Sequence, residues 1–425
     1  MTDGFLDNSL FRNIYCYVAG GSDGCAARGY DAGFLPGGLE WLAFAITAFV
    51  VANIFINGAL GGVLALIWGE RRILARFQNR VGPNRWGPMG SLTSVADAIK
   101  TMFKEDIVPD QADRFLFNLA PVIMVVPVLL VFAVIPVGIG TVVADINVGL
   151  LFVIAVTSAS GLAIAMAAWS SANRIAIFSG LRAVALLVSY EIPMALSLLG
   201  VLMITGTLSM TGTIAAQDIP FIIVQPLGFL VFFLASLAEM SRTPFDLTEA
   251  ESELAAGHLN DYSSMKFGVL FLAEWAATIA GAAIITTVFL SGWRGFEPIP
   301  SHIWFAGKVV AVLFVIIWIR ATWPRLRIDQ VLNLAWKGLF ELTMINLIVT
   351  AILTAAMSDT EADGSMFSRE ELLIMAAVNW VVFFPSIYFI GKLLKAKPYS
   401  KDGSEDMPDY PVATEQDAAL EGAAD

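Results

Sequence analysis

The chain has 425 residues, 57% hydrophobic and only 15% charged, with 29 Phe, 11 Trp and a mean hydropathy of +0.73. That balance excludes a soluble globular protein of this size and places the chain in a lipid bilayer. The net charge of −12 describes no acidic binding surface, because eight acids and no Lys or Arg fall in residues 402–425, whose composition is that of a solvated, disordered tail.

Residues 1–38 form an external segment with the only two cysteines, Cys16 and Cys25. They can close a small disulfide loop or stand as two thiols. Two thiols cannot hold an iron–sulfur cluster, and no Cys or His spacing suits zinc, so no metal site is expected. His258 and His302 fall in or beside loops, an arrangement that does not suit haem. The chain is therefore expected to carry no redox cofactor of its own. No apolar run precedes residue 39 and no basic stretch leads it, so the first helix is expected to insert as an uncleaved anchor.

Apolar runs occur at 39–67, 115–138, 148–169, 181–204, 219–238, 267–290, 303–322, 339–357 and 372–391, each near the ~20 residues needed to cross a bilayer. They predict an all-α polytopic protein with about nine transmembrane helices in one domain, 39–391, followed by a cytoplasmic tail, 392–425. No internal repeat is visible. With the N-terminus outside, the inside segments hold twenty Lys and Arg and the outside segments four, which sets the orientation. In the longest inside loop Leu92, Val95, Ile99, Met102 and Phe103 recur at helical spacing, with Asp97, Lys100 and Lys104 on the other side. The pattern predicts a short amphipathic helix lying in the membrane interface.

Residues 238–257, AEMSRTPFDLTEAESELAAG, concentrate carboxylates on the inside face. Thr243 and Pro244 predict a helix start, with Asp246 completing a box-like cap and Gly257 ending the helix. On such a helix Asp246, Glu249 and Glu253 share a face, and their repulsion requires compensation. A solvated acidic face is the plainer alternative. Two further acids argue against it: Glu191 lies mid-way along the fourth run and Glu274 within the sixth. A charge at the bilayer centre costs on the order of 3 kcal/mol. Grouped acids in low dielectric titrate as a coupled set, as a proton relay requires. Glu70 and Glu341 read as ordinary boundary residues, the latter beside Lys337.

Five blocks carry a family resemblance: ERRILARFQNRVGPNRWGP, ADAIKTMFKED, GLRAVALLVSYE, AEMSRTPFDLTEAESEL and WIRATWPRLRIDQVLNLAWK. In this order they resemble the membrane subunit of respiratory complex I that is designated H in bacteria and builds the heel of the enzyme. The resemblance implies a quinone-tunnel and proton-coupling subunit of a proton-pumping NADH:quinone oxidoreductase in the bacterial cytoplasmic membrane, with the N-terminus outside and the C-terminus inside. Quinone, for instance ubiquinone, is then the substrate; NADH, FMN and iron–sulfur clusters belong to partner subunits. The implied partners are the other membrane subunits, the peripheral iron–sulfur and quinone-site subunits on the cytoplasmic face, and lipids, with no nucleic acid. The implied proton path is Glu191, Glu239, Asp246, Glu249, Glu251, Glu253 and Glu274, with Arg242 and Arg182 balancing the acids. The implied tunnel residues are Arg71, Arg80, Asp97, Phe271, Arg320 and Arg325. Departures from the family pattern are Leu186 in place of Gln, Ser-Leu-Thr-Ser at 91–94, Asp261 before Tyr262, and Glu341 in place of Pro. The rival readings are the homologous subunit of a membrane-bound hydrogenase-like complex and a free-standing ion-coupled transporter.

Overall fold

The computed structural model describes residues 11, 14–16, 18, 40–247, 257–296, 298–357 and 367–393. Glu249, Glu251, Glu253 and the acidic tail lie outside them. Cys16 is disulfide-bonded; Cys25, the only other cysteine, also lies outside the described residues.

The described chain is predominantly helical, without a strand. In chain order the helices are α1 Glu40–Phe77, α2 Thr93–Met102, α3 Arg114–Val134, α4 Gly149–Thr157, α5 Ala159–Ser170, α6 Arg174–Thr205, α7 Met210–Ala215, α8 Phe221–Val224, α9 Pro226–Glu239, α10 Ser264–Phe289, α11 Ser301–Thr322, α12 Ile328–Leu334, α13 Phe340–Met357 and α14 Arg369–Leu393. A π-helical turn, Ala335–Leu339, joins α12 to α13. Among the described residues eight helical stretches are long and apolar enough to cross a membrane, α4–α5 and α12–α13 each counting as one.

The fifth apolar run, 219–238, is not one helix. Pro226 lacks a backbone donor and disfavours helical geometry at the residue before it. Gln225 accordingly sits at φ −128, ψ 69, between α8 and the 14-residue α9. By contrast α1 runs to Phe77, well beyond the apolar stretch. Its 38 residues span about 57 Å at 1.5 Å per residue, more than the ~30 Å hydrocarbon core of a bilayer, and its last turns carry Glu70 and Arg71.

Helix starts follow local chemistry. The Asp113 carboxylate accepts from the backbone N–H groups of Phe115 and Leu116, and the Asn173 side chain accepts from that of Ile175; both satisfy orphan first-turn donors. The long α6 ends at Gly206, whose φ of 63 needs a residue without Cβ. Helix α2 forms as expected. Leu92, Val95, Ile99, Met102 and Phe103 are 39–87% exposed, an apolar face that suits lipid.

Segments predicted to share a side do meet. On the basic side, Ile107 N–H donates to Ser263 Oγ at 2.7 Å, Asp113 N–H to Ser170 O at 3.1 Å, and Lys266 pairs with Asp106 at 2.8 Å. At the opposite end Arg294 pairs with Asp218 at 2.9 Å, and Thr141 meets His302 at 2.9 Å. Lys308, which no reading of the sequence singled out, donates to the carbonyls of Leu290, Gly292 and Arg294 at 2.7, 3.0 and 2.6 Å. Its charge thereby caps the C-terminal end of α10.

Candidate functional site

The expected helix start at Thr243 and Pro244 is overturned: residues 240–247 are turns and irregular backbone. Their hydrogen bonds are committed elsewhere. Phe245 N–H donates to Arg242 O at 2.8 Å, Leu247 N–H to Phe245 O at 2.8 Å, and Leu326 N–H to Pro244 O at 3.2 Å. Asp246 is therefore not on a helical face shared with Glu249 and Glu253.

This turn segment separates two acid sites. The first is a polar cleft of about 340 Å³ lined by Leu74, Phe77, Gln78, Thr243, Asp246, Arg320, Ala321 and Arg325. Arg325 donates to Asp246 Oδ2 at 3.0 Å, and Arg320 pairs with Glu70. Glu70 is buried, so the expectation of an ordinary boundary residue fails. Two hundred and fifty residues separate it from its arginine, a distance no local pattern spans. Glu341 does remain exposed, and among the described residues no ion pair joins it to Lys337.

The other residues expected in a tunnel divide. Arg71 binds Asp97 Oδ2 at 2.7 Å and Lys100 reaches its other oxygen at 3.0 Å, tying α2 to the last turns of α1. Partial burial pushes the Asp97 carboxyl up, but the hydrogen bonds from Arg71 and Lys100 outweigh it and hold the group below the usual range. Phe271 stacks on Phe267 and leans on Trp275, inside the bundle between α10 and α1. Arg80 stands apart, bonded to Gln78 at 2.7 Å and sharing a separate cleft with Arg72 and Arg76.

The second site lies within the bundle. One cavity of about 70 Å³ is lined by Glu239, Glu274, Ser236, Ser160 and apolar side chains of α3, α4, α6 and α10. Another of about 260 Å³ carries Glu191 and Glu239. Glu239, the last residue of α9, therefore lines both. The interruption between α4 and α5 places Thr157 against Glu239 and Ser158 against Glu191. Pro193, two residues beyond Glu191, has no N–H for the carbonyl four residues back. That stretch of α6 is pinned instead through side chains: Tyr190 donates to Val331 O at 3.0 Å and Trp336 to Ser189 Oγ at 3.2 Å. Leu186, one turn before Tyr190 and in place of the family's Gln, is buried in the apolar core.

Arg242 joins the turn segment to this chamber. Its side chain is 4% exposed; Nε donates to Thr278 at 3.0 Å, Nη2 stands 4.0 Å from Glu274, and the guanidinium lies 4.1 Å above the Trp275 ring. The expectation that Arg242 balances an acid holds against Glu274. Arg182 is half-buried on α6.

His258 closes the turn after the acidic segment. It is buried, and its Nδ1 has no hydrogen-bond partner. Burial pushes its pKa down to about 4, against ~6.5 in an unfolded chain. The unfolded state therefore binds the extra proton first, so stability from this site is full above about pH 6.5 and declines towards pH 4. The thermal midpoint of the purified protein is expected to fall between pH 7 and pH 5, and less steeply in His258→Gln; parallel curves would exclude His258 as the cause.

Fold and site together define a polytopic helical membrane protein with half-buried carboxylates lining cavities in its bundle and an arginine–carboxylate cleft at one end. The chain belongs to the NADH dehydrogenase family, which matches residues 49–351. It is 50% identical over 310 residues to the H subunit of the NADH-quinone oxidoreductase of Dehalococcoides mccartyi strain CBDB1, covering 72% of this chain and 87% of that protein. Over 354 residues, 83% of this chain and 97% of the other, it is 45% identical to the H subunit of strain ATCC BAA-2266. The H subunit of Geobacillus kaustophilus is 45% identical over 299 residues, 69% of this chain and 89% of its own. The resemblance to this membrane subunit of complex I, first carried by five short blocks, thus extends over most of the chain.

Proposed function

We propose that the chain is the quinone-tunnel and proton-coupling membrane subunit of a proton-translocating NADH:quinone oxidoreductase, with its partners supplying NADH oxidation, flavin and iron–sulfur clusters. The observation that carries this reading is the placement of Glu239 in the walls of both bundle cavities, between Glu191 on one side and Glu274 on the other. Quinone reduction to quinol takes up two electrons and two protons, so a quinone site must be served by proton donors and must respond to changing charge. The cleft of Glu70, Arg320, Asp246 and Arg325 offers fixed cations and carboxylates suited to a polar headgroup. From there Arg242 links the turn segment to Glu274. A change of charge at the cleft is thereby felt at the half-buried acids, and protons pass along Glu274, Glu239 and Glu191. Glu249, Glu251 and Glu253 belong to the same path in this reading.

The N-terminus is outside and the basic loops face the cytoplasm, where the peripheral subunits dock. Support comes from the twenty-to-four split of basic residues and from the meeting of segments assigned to each side. The names of the relatives favour a quinone-linked complex over a hydrogenase-like one. A free-standing transporter would survive purification alone, whereas a complex subunit co-purifies with iron–sulfur proteins; isolation of a stable, active single chain would sink the assignment.

Arg320→Ala is expected to raise the apparent quinone KM about tenfold by removing a fixed cation from the cleft. The substitution also leaves Glu70 buried and unpaired, which lowers stability. Adding Glu70→Gln should restore abundance but not KM. Steady-state quinone titrations of both variants check this; full recovery of KM in the double variant would reduce Arg320 to a structural partner of Glu70.

A further inference from the structure

Pro226 leaves carbonyl groups without helical donors where lipid offers none. Two are capped from α14: Trp380 Nε1 donates to Ile223 O at 3.0 Å and Asn379 Nδ2 to Val224 O at 2.7 Å. Gln225, 0% exposed, spends its Nε2 on Gly200 O of α6 at 3.0 Å and on Thr350 Oγ1 of α13 at 3.1 Å. Gly200 O can only accept, so this orientation of the amide is set by its partner. Gln225 Oε1 is left with no donor, and Asn346 Nδ2 of α13, on a residue 2% exposed, with no acceptor.

Both orphan atoms face one spot. A Cβ added to Gly228 falls 3.1 Å from Asn346 Nδ2 and 3.4 Å from Gln225 Oε1; one added to Gly200 falls 2.9 and 3.3 Å from the same atoms. Glycines on two different helices therefore keep side chains away from a point within reach of one unused donor and one unused acceptor.

We propose that this junction of α6, α8, α9 and α13 binds a single water molecule, which donates to Gln225 Oε1 and accepts from Asn346 Nδ2. A water supplies both roles at once, and buried waters occupy places with two to four polar partners. A cation fits poorly, because the Asn346 N–H groups point into the spot and none of the contacting side chains is a carboxylate. The site is distinct from the acid chamber. Gln225 precedes Glu239 by fourteen residues, about 21 Å along a helix.

A map of the intact complex, at a resolution where buried waters are visible, tests the assignment without any substitution. The expected result is a peak about 2.7–3.2 Å from both atoms. No peak, direct contact between the two amides, or metal-like contacts below about 2.6 Å would overturn it. Gly228→Ala puts a methyl group beside both atoms, so the peak should vanish and the thermal midpoint fall. A raised midpoint would mean that the methyl fills a dry gap, and would equally overturn the proposal. Neither result bears on the carboxylate path, since Gly228 touches none of its acids.

Discussion

Glu239→Gln is expected to lower coupled quinone-reductase turnover tenfold or more while leaving the complex assembled. Glutamine keeps the shape and hydrogen-bonding capacity of the side chain and removes only the exchangeable proton, and a positioned acid–base group contributes about 10²–10⁴-fold to a proton-transfer step. Glu239 is the carboxylate common to both cavities, so its loss interrupts the line between Glu191 and Glu274. Glu191 lines only one of the two cavities; Glu191→Gln should show the same direction with an equal or smaller loss. NADH-driven quinone turnover and proton uptake in proteoliposomes measure both. Wild-type turnover and pumping in Glu239→Gln would remove the chamber from the mechanism.

Arg242→Leu should have its largest effect on assembly. Arg242 is buried among Thr278, Glu274 and the face of Trp275. Removing one partner of a buried ion pair costs about 3–5 kcal/mol, because the other charge is left uncompensated. That is a large share of the stability of any domain. The amount of assembled complex should therefore drop sharply, and Glu274→Gln in the same background should restore it by removing the stranded charge. Turnover should stay low in the double variant, since Glu274 is itself in the proposed path. Assembly of Arg242→Leu at wild-type levels would show that the 4.0 Å pair contributes little.

The acids illustrate how unevenly a site can be read from sequence. Glu191, Glu239 and Glu274 stand out because each interrupts or ends an apolar run, and the structure brings all three to cavity walls. Glu70 does not stand out. It ends an apolar run just as a boundary residue does, and only the return of α11 places Arg320 beside it. Asp246 stands out in the sequence by its place in an acidic cluster, but its setting is not the expected helix. It sits in a turn opposite Arg325, seventy-nine residues away.

Composition and period by themselves determined that this is an all-α membrane protein, roughly where its helices lie, and that α2 forms with an exposed apolar face. These properties follow from each residue's own solvation and from neighbours within a turn or two of helix, so a linear string carries them. Tertiary structure alone decided that Thr243 and Pro244 make a turn, that Glu70 pairs with Arg320, and that Glu239 stands between two cavities. Each depends on a partner tens to hundreds of residues away. In low dielectric that partner, more than the residue's own type, sets whether a buried carboxylate is a stabilised ion, a proton carrier or a cost to the fold.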